Sequence, residues 1–211
     1  MPLGDQLELT KPTIDAISNA DVIGYETIER LIRILDFNNI TSNAELISIY
    51  GHTNTNQILS KLRLGMNVVL VVDEGQAGLA DPGCEIANAC LLDDIAVDAI
   101  PGPSSITVAA ALSGYNLDNF FVINTSTIAE DRVFELIREN PTINFILLEM
   151  QNESNNLKNF PIDLYYKHIT VISSIDMPSQ KMWRGQIKDI GNQNIISKTG
   201  RVIAVVRGMD G

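Results

Sequence analysis

Four carboxylates stand out in this 211-residue sequence: Glu26, Asp73 and Glu149, which fall at or just past the ends of expected strands, and Asp5, in the turn Pro2-Leu3-Gly4-Asp5. A carboxylate placed there can act as a general base if it lies within hydrogen-bond reach of the proton it removes, or it can hold a cation. The plainer role is capping and turn formation, above all for Asp73. Interleaved with these acids are two loops rich in Gly, Pro and Ser. The first runs from Asp73-Glu74-Gly75-Gln76-Ala77-Gly78-Leu79 into Ala80-Asp81-Pro82-Gly83, and the second is Pro101-Gly102-Pro103-Ser104-Ser105. Gly75 and Gly78 lack Cβ, so the backbone there can turn tightly and approach a ligand closely. Two such loops in succession suit an open α/β sheet that binds a nucleotide-like ligand beyond the carboxyl ends of its strands. The Gly-x-Gly-x-x-Gly dinucleotide fingerprint does not occur.

The elements that must position these residues follow from periodicity. Val68-Val69-Leu70-Val71-Val72 is a continuous apolar run, as in a strand buried on both faces. A helix follows it, with Asp81 as N-cap and Pro82 at its first position. A short strand over residues 95–100 then leads to a small-residue helix capped by Ser104 and closed by Gly114. Upstream, a helix over 10–19 has Pro12 in its first turn and a strand spans 21–25. An amphipathic helix over 26–35 carries Ile28, Leu31, Ile32 and Leu35 on one face, a strand covers 45–50, and a helix over 56–64 stops at Gly65. No strand is evident before Pro2-Leu3-Gly4-Asp5. Beyond Gly114 strands are expected over 120–123, 143–149, 169–174, 182–187 and 201–206. Thr127 and Glu130 suit a capping box for a helix reaching Glu139, and residues 151–159 are a polar, Asn-rich stretch. The architecture read from this is α/β: a domain over 1–115 with a mainly parallel sheet, and an α+β domain over 116–211 with a mixed sheet.

Composition bounds the function. With 45% hydrophobic and 19% charged residues the chain is a folded globular one, and no apolar run reaches the length of a membrane span. Cys84 and Cys90 share one expected helix and have no metal-ligand partners nearby, so both read as small core residues in a reducing cytosol and no metal site is expected. The net charge of −11 argues against a general polyanion binder. Its distribution is uneven: residues 1–115 carry 5 basic against 15 acidic side chains, whereas from Tyr165 onward there are 7 basic and 3 acidic. Any phosphate contact is therefore expected from the C-terminal portion, with a merely solvated surface as the alternative.

The segments Val72-Asp73-Glu74-Gly75, Ala80-Asp81-Pro82-Gly83 and Ile100-Pro101-Gly102-Pro103-Ser104-Ser105 resemble the tetrapyrrole methylase family of S-adenosylmethionine-dependent enzymes. Within it they are most similar to members that methylate a ribose 2′-hydroxyl of small-subunit ribosomal RNA. The resemblance implies two α/β domains with the cofactor crevice between them, a cytoplasmic homodimer, and RNA contact through the C-terminal domain, with no membrane and no DNA. It implies S-adenosylmethionine contacts at Gly4, Gly75, Gln76, Leu79, Pro101, Ser104, Ser105, Ile106, Met150 and Gly185, and it puts His52 in a loop that is His-rich in the ribosomal members. Glu26, Asp73 and Glu149, singled out by their places at strand ends, are the candidate catalytic groups. The family also opens on a strand that is missing here. The chain departs from the ribosomal pattern elsewhere: Gln76 and Ala77 stand for Thr and Pro, and only Glu26 and Glu149 persist in their segments. Methylation of a tetrapyrrole or other small molecule, and a non-catalytic paralogue that keeps fold and dimer, are the alternatives.

Overall fold

The computed structural model describes residues 1–50, 52–79, 82–150, 159–193, 195 and 201–209. The chain divides into two compact units, 1–104 and 105–211. In the first, α1 (Lys11–Ser18), β1 (Val22–Tyr25), α2 (Ile28–Phe37), β2 (Glu45–Ser48), α3 (His52–Arg63), β3 (Val68–Val71) and α4 (Cys84–Leu92) follow one another. The strands form a wholly parallel sheet in the order β2-β1-β3. Strand alternation sorts the core onto two faces. Val22, Leu70 and Val72 point toward Ile58 and Leu59 of α3 and Ile86 and Cys90 of α4. Ile23, Val69 and Val71 point toward Ile17 of α1 and Leu31 and Ile34 of α2. At Gly24 there is no room for more: a Cβ would lie 2.7 Å from Leu70 Cδ2 and 2.9 Å from Ile49 Cγ2.

Several sequence expectations are corrected in this unit. β3 is an edge strand and only half-buried over residues 68–70, because the strand expected over 95–100 does not form; that segment runs unpaired and largely exposed. On α2 the buried residues are Leu31 and Ile34, whereas Ile32 is 48% exposed. The helix expected to start at Pro82 begins at Cys84, with Gly83 as its N-cap at φ +112, a conformation that requires glycine. The expected cap Asp81 lies outside the described residues, as does Gly51. Cys84 is exposed and only Cys90 belongs to the core.

The second unit contains α5 (Ser105–Ser113), β4 (Phe120–Asn124), α6 (Glu130–Glu139), β5 (Asn144–Leu148), β6 (His168–Ser173), β7 (Lys181–Gln186) and β8 (Val202–Val206). The five strands run in the order β4-β5-β8-β6-β7; β4 and β5 are parallel and every other pairing is antiparallel. α5, read from sequence with the first domain, counts with this unit, since Ile106 and Ala109 pack on Ile146, Ile172, Ile203 and Val205 of one sheet face. The opposite face meets Val133, Phe134 and Ile137 of α6. Thr127 is no helix cap: Ala129 holds that position, and the Thr127 hydroxyl donates to Asn124 O at 3.0 Å.

Asn144 ties this unit's connections together. Its Nδ2 donates to Asn116 O at 3.0 Å and Asn119 O at 3.1 Å, and its Oδ1 accepts from Gly208 N at 3.1 Å. Removing a partner from a buried backbone group costs about 1–3 kcal/mol, so Asn144→Ala is expected to destabilise the protein by about 2–4 kcal/mol in urea unfolding; a loss under about 1 kcal/mol would show that water replaces these bonds. Thiol chemistry tests the α4 packing. Burial, reinforced by Asp93, pushes the Cys90 thiol above its ordinary pKa, so at pH 7–8 a thiol-reactive dye should label Cys84 in the native protein and both cysteines only in denaturant. Equal labelling rates would contradict the packing.

Candidate functional site

Parallel strands end at one edge, so β1, β2 and β3 deliver their following residues to the same side of the first sheet. There Glu26 and Asp73 exchange contacts. Glu26 Oε2 accepts from Asp73 N at 2.8 Å and Oε1 accepts from Tyr50 O–H at 2.9 Å. Asp73 Oδ1 accepts from Thr27 N at 3.1 Å and Oδ2 from the Thr27 hydroxyl at 2.7 Å. Thr27 is the N-cap residue of α2, so Asp73 takes a donor that the helix itself cannot satisfy. Arg30, one turn into α2, donates through Nε to Asp73 O at 3.2 Å and through Nη2 to Gly4 O at 3.0 Å and Gln6 O at 2.8 Å.

That network aims three loops at one place. Gly75, buried and at φ +71, donates its N–H to Met1 O at 3.1 Å. A Cβ added there would lie 3.6 Å from Leu3 Cδ2 and 3.7 Å from Pro103 O. Gly102 faces Gln76: a Cβ on it would lie 3.8 Å from Gln76 Oε1. Gly4 is also left-handed, at φ +55. The structure thus gathers Gly4, Glu26, Asp73, Gly75, Gln76 and the loop that starts at Pro101. Leu79 lies exposed at the rim, Ser104 is half-buried, and Asp5 points to solvent.

In the second unit the sequence candidates occupy separate places. Ser105 opens α5, and Ile106 is buried on the α5 face of the sheet. Met150 is buried among Phe134, Phe145 and Leu147 on the opposite face. Glu149 causes the change of face: at φ +55 it breaks strand alternation, so Leu148 faces α5 while Met150 turns toward α6. Thr125 steadies this turn by donating its hydroxyl to Leu148 O at 2.9 Å and Glu149 O at 3.0 Å. The Glu149 carboxylate meets Arg201 at 3.6 Å, an exposed pair of little energetic weight. Gly185 accommodates the Trp183 indole, which a Cβ would meet at 2.4 Å.

Tyr50, Thr27 and Arg30 were missed by sequence reasoning. Thr27 and Arg30 stand in Glu26-Thr27-Ile28-Glu29-Arg30, and only the helical turn brings Arg30 back toward Asp73. Tyr50 fell inside the strand expected over 45–50; because that strand ends at Ser48, Tyr50 lies just past it, as Glu26 and Asp73 do past theirs.

These contacts give Asp73 a scaffold role that can be separated from a chemical one. Asp73→Ala should cost about 1–2 kcal/mol of stability, as for a lost helix cap, and Asp73→Asn, which can still accept from Thr27, should cost less. Equal stability losses in Asp73→Asn and Asp73→Ala would show that the carboxylate charge, and not hydrogen-bond acceptance alone, holds the Thr27 end of α2.

Comparison with known proteins fits this geometry. Residues 1–191 match the family Tetrapyrrole (Corrin/Porphyrin) Methylases. Ribosomal RNA small subunit methyltransferase I of Synechocystis is 32% identical over 122 residues, which cover 56% of this chain and 43% of that protein. The enzyme of the same name from Hydrogenobaculum is 26% identical over 195 residues, covering 90% of this chain and 84% of that protein. Thus the chain spans less than half the length of the first relative and most of the second. Uroporphyrin-III C-methyltransferase from Thermus thermophilus, solved with S-adenosylhomocysteine, shares the fold with a TM-score of 0.62 at 14% identity, over 96% of this chain and 92% of that one. With its sequence match running over residues 1–191, the chain belongs to the tetrapyrrole (corrin/porphyrin) methylases, a family of S-adenosylmethionine-dependent methyltransferases.

Proposed function

We propose that this protein is an S-adenosylmethionine-dependent methyltransferase whose acceptor is a ribose 2′-hydroxyl of small-subunit ribosomal RNA. The observation that carries the reading is the meeting of the two Gly/Pro loops at the carboxyl edge of the parallel sheet, where Gly75 lies 3.7 Å, by its added Cβ, from Pro103 O. Glycine at φ +71 brings no Cβ to that junction, which lets the two loops approach closely. The residues present fit the cofactor: Gly75, Gln76, Pro101 and Ser104 would hold it chiefly through backbone, with Gly4 beside them, and backbone contacts tolerate Gln76 and Ala77 in place of the ribosomal residues. When bound, S-adenosylmethionine supplies an electrophilic methyl on a sulfonium.

The protein's own contribution is orientation, since displacement at a sulfonium needs little acid catalysis. A ribose hydroxyl is a poor nucleophile, so a base near it would help. Glu26 is the better placed of the first unit's acids: each of its oxygens accepts one hydrogen bond and retains a lone pair, and its partner Tyr50 is exposed. The ribosomal acceptor is supported by relatives at 26–32% identity that carry that name. The proposal includes a homodimer in the cytosol. Leu64, Leu91, Leu92 and Val97 leave apolar surface exposed on the first unit, and no described helix is long and apolar enough to cross a membrane.

Titration calorimetry with S-adenosylmethionine tests the site. Gly75→Val forces a β-branched residue into left-handed backbone and should weaken binding at least tenfold, about 1.4 kcal/mol, in protein whose circular dichroism is unchanged. Wild-type affinity in that variant would place the cofactor elsewhere. The acceptor is tested with small-subunit RNA and methyl-labelled cofactor. A 2′-O-methyl group removes the hydroxyl that attacks in alkaline cleavage, so a single gap in the alkaline ladder is expected. Label in a tetrapyrrole and none in RNA would support the small-molecule reading. Cofactor binding without transfer to either would support a non-catalytic paralogue.

A further inference from the structure

Arg184, on β7, carries its guanidinium over the Tyr115 ring, with Cζ 4.4 Å from the ring centroid, and Arg207, just past β8, lies 5.8 Å from the same centroid. Tyr115 is firmly placed. It follows α5 through Gly114 at φ +63, and its N–H donates to the Ser113 hydroxyl at 3.2 Å. A Cβ on Gly114 would lie 3.3 Å from Arg184 Nη1, so the exposed guanidinium also rests against the end of α5.

A guanidinium over a ring is attracted by the ring's electron-rich face, and its planar fork of N–H donors is the group that recognises a phosphate. The ring contact restrains the side chain beforehand, so less rotamer entropy is lost when an anion binds. Among the described residues no carboxylate pairs with Arg184. By contrast Arg63 meets Asp93, Arg132 meets Glu135, Arg138 meets Asp163 and Arg201 meets Glu149.

Thr170, the cross-strand partner of Arg184, shares its sheet face and is fully buried, and the Tyr115 hydroxyl is buried as well. Arg184 is the exposed donor of this face. The stretch that supplies both arginines is also where the chain reverses its charge, with 7 basic and 3 acidic residues from Tyr165 on, within a net −11.

We propose that Arg184 and Arg207 on the Tyr115 ring form a phosphodiester-binding site on the second unit, which grips the backbone of the nucleic-acid acceptor. The proposal rests on the ribosomal RNA reading above and gives it a contact site. The ligand is a phosphate of a polynucleotide, bound without regard to base.

Fluorescence anisotropy of a labelled single-stranded RNA, read between about 50 and 200 mM salt, tests it. Each phosphate contact on a single strand contributes a slope of about 0.7 in log affinity against log salt, so Arg184→Ala should weaken binding about fivefold near 0.1 M and lower the slope by about 0.7. Arg184→Ala with Arg207→Ala should lower it about twice as far. Arg184→Lys keeps the charge but loses the planar fork, and should fall between. Thermal unfolding and calorimetric affinity for S-adenosylmethionine should stay at wild-type values, whereas arginines that serve packing alone would shift unfolding and leave the slope untouched. RNA binding with the same slope in all variants overturns the site, and continued RNA methylation would then leave the ribosomal reading standing. Slopes that fall as expected in a protein that methylates no RNA would uphold the site and remove that reading. Wild type that binds no RNA at about 50 mM salt, or variants that lose only a carboxylated tetrapyrrole, would overturn the site outright.

Discussion

Glu26 leaves β1 and accepts from the amide of Asp73, while Asp73 leaves β3 and accepts from the amide and hydroxyl of Thr27. Each carboxylate satisfies a backbone donor released where the other strand ends, groups that no sheet neighbour can take. The bonds are charge-assisted, two of them at 2.7 and 2.8 Å, and they fix the two exits against each other. Arg30 extends the constraint to a third segment through Gly4 O and Gln6 O. Gly75 then begins its loop from a fixed origin, which is the condition for a site made of backbone. A side chain can be re-aimed by a rotamer change, whereas a backbone surface is only as well placed as the strand that delivers it.

Much of this was legible in the sequence. The two loops announced themselves through Gly75, Gly102 and Pro103, and the family resemblance they carried covers residues 1–191. Strands over Val22–Tyr25, Asn144–Leu148 and Val202–Val206 followed from local apolar patterning. What escaped was non-local. Whether residues 68–72 formed a central or an edge strand depended on the pairing of 95–100, which its own residues could not decide. Met150 and Ile106 looked equally suited to a ligand, yet one left-handed residue, Glu149, sends Met150 into the core on the other sheet face. Gly185 matched a family segment by type, but locally its bare backbone accommodates Trp183. Arg30 escaped because only the helical turn of α2 brings its side chain back to Asp73 O.

The charge asymmetry of the chain makes sense once the duties of its charged groups are separated. Residues 1–115 are strongly acidic, and at the site edge those acids act as hydrogen-bond acceptors for backbone while favouring a cationic ligand. A polynucleotide gains nothing from that surface. At physiological ionic strength, however, charge is screened within about 8 Å, so net charge governs the approach of an anion less than the few groups it touches. An excess of acid therefore need not exclude RNA. It removes long-range steering, which lowers the association rate, and leaves affinity to direct contacts. Under that regime a guanidinium held over an aromatic ring makes its contact at a lower entropic cost than a mobile lysine, which must surrender side-chain freedom to do the same.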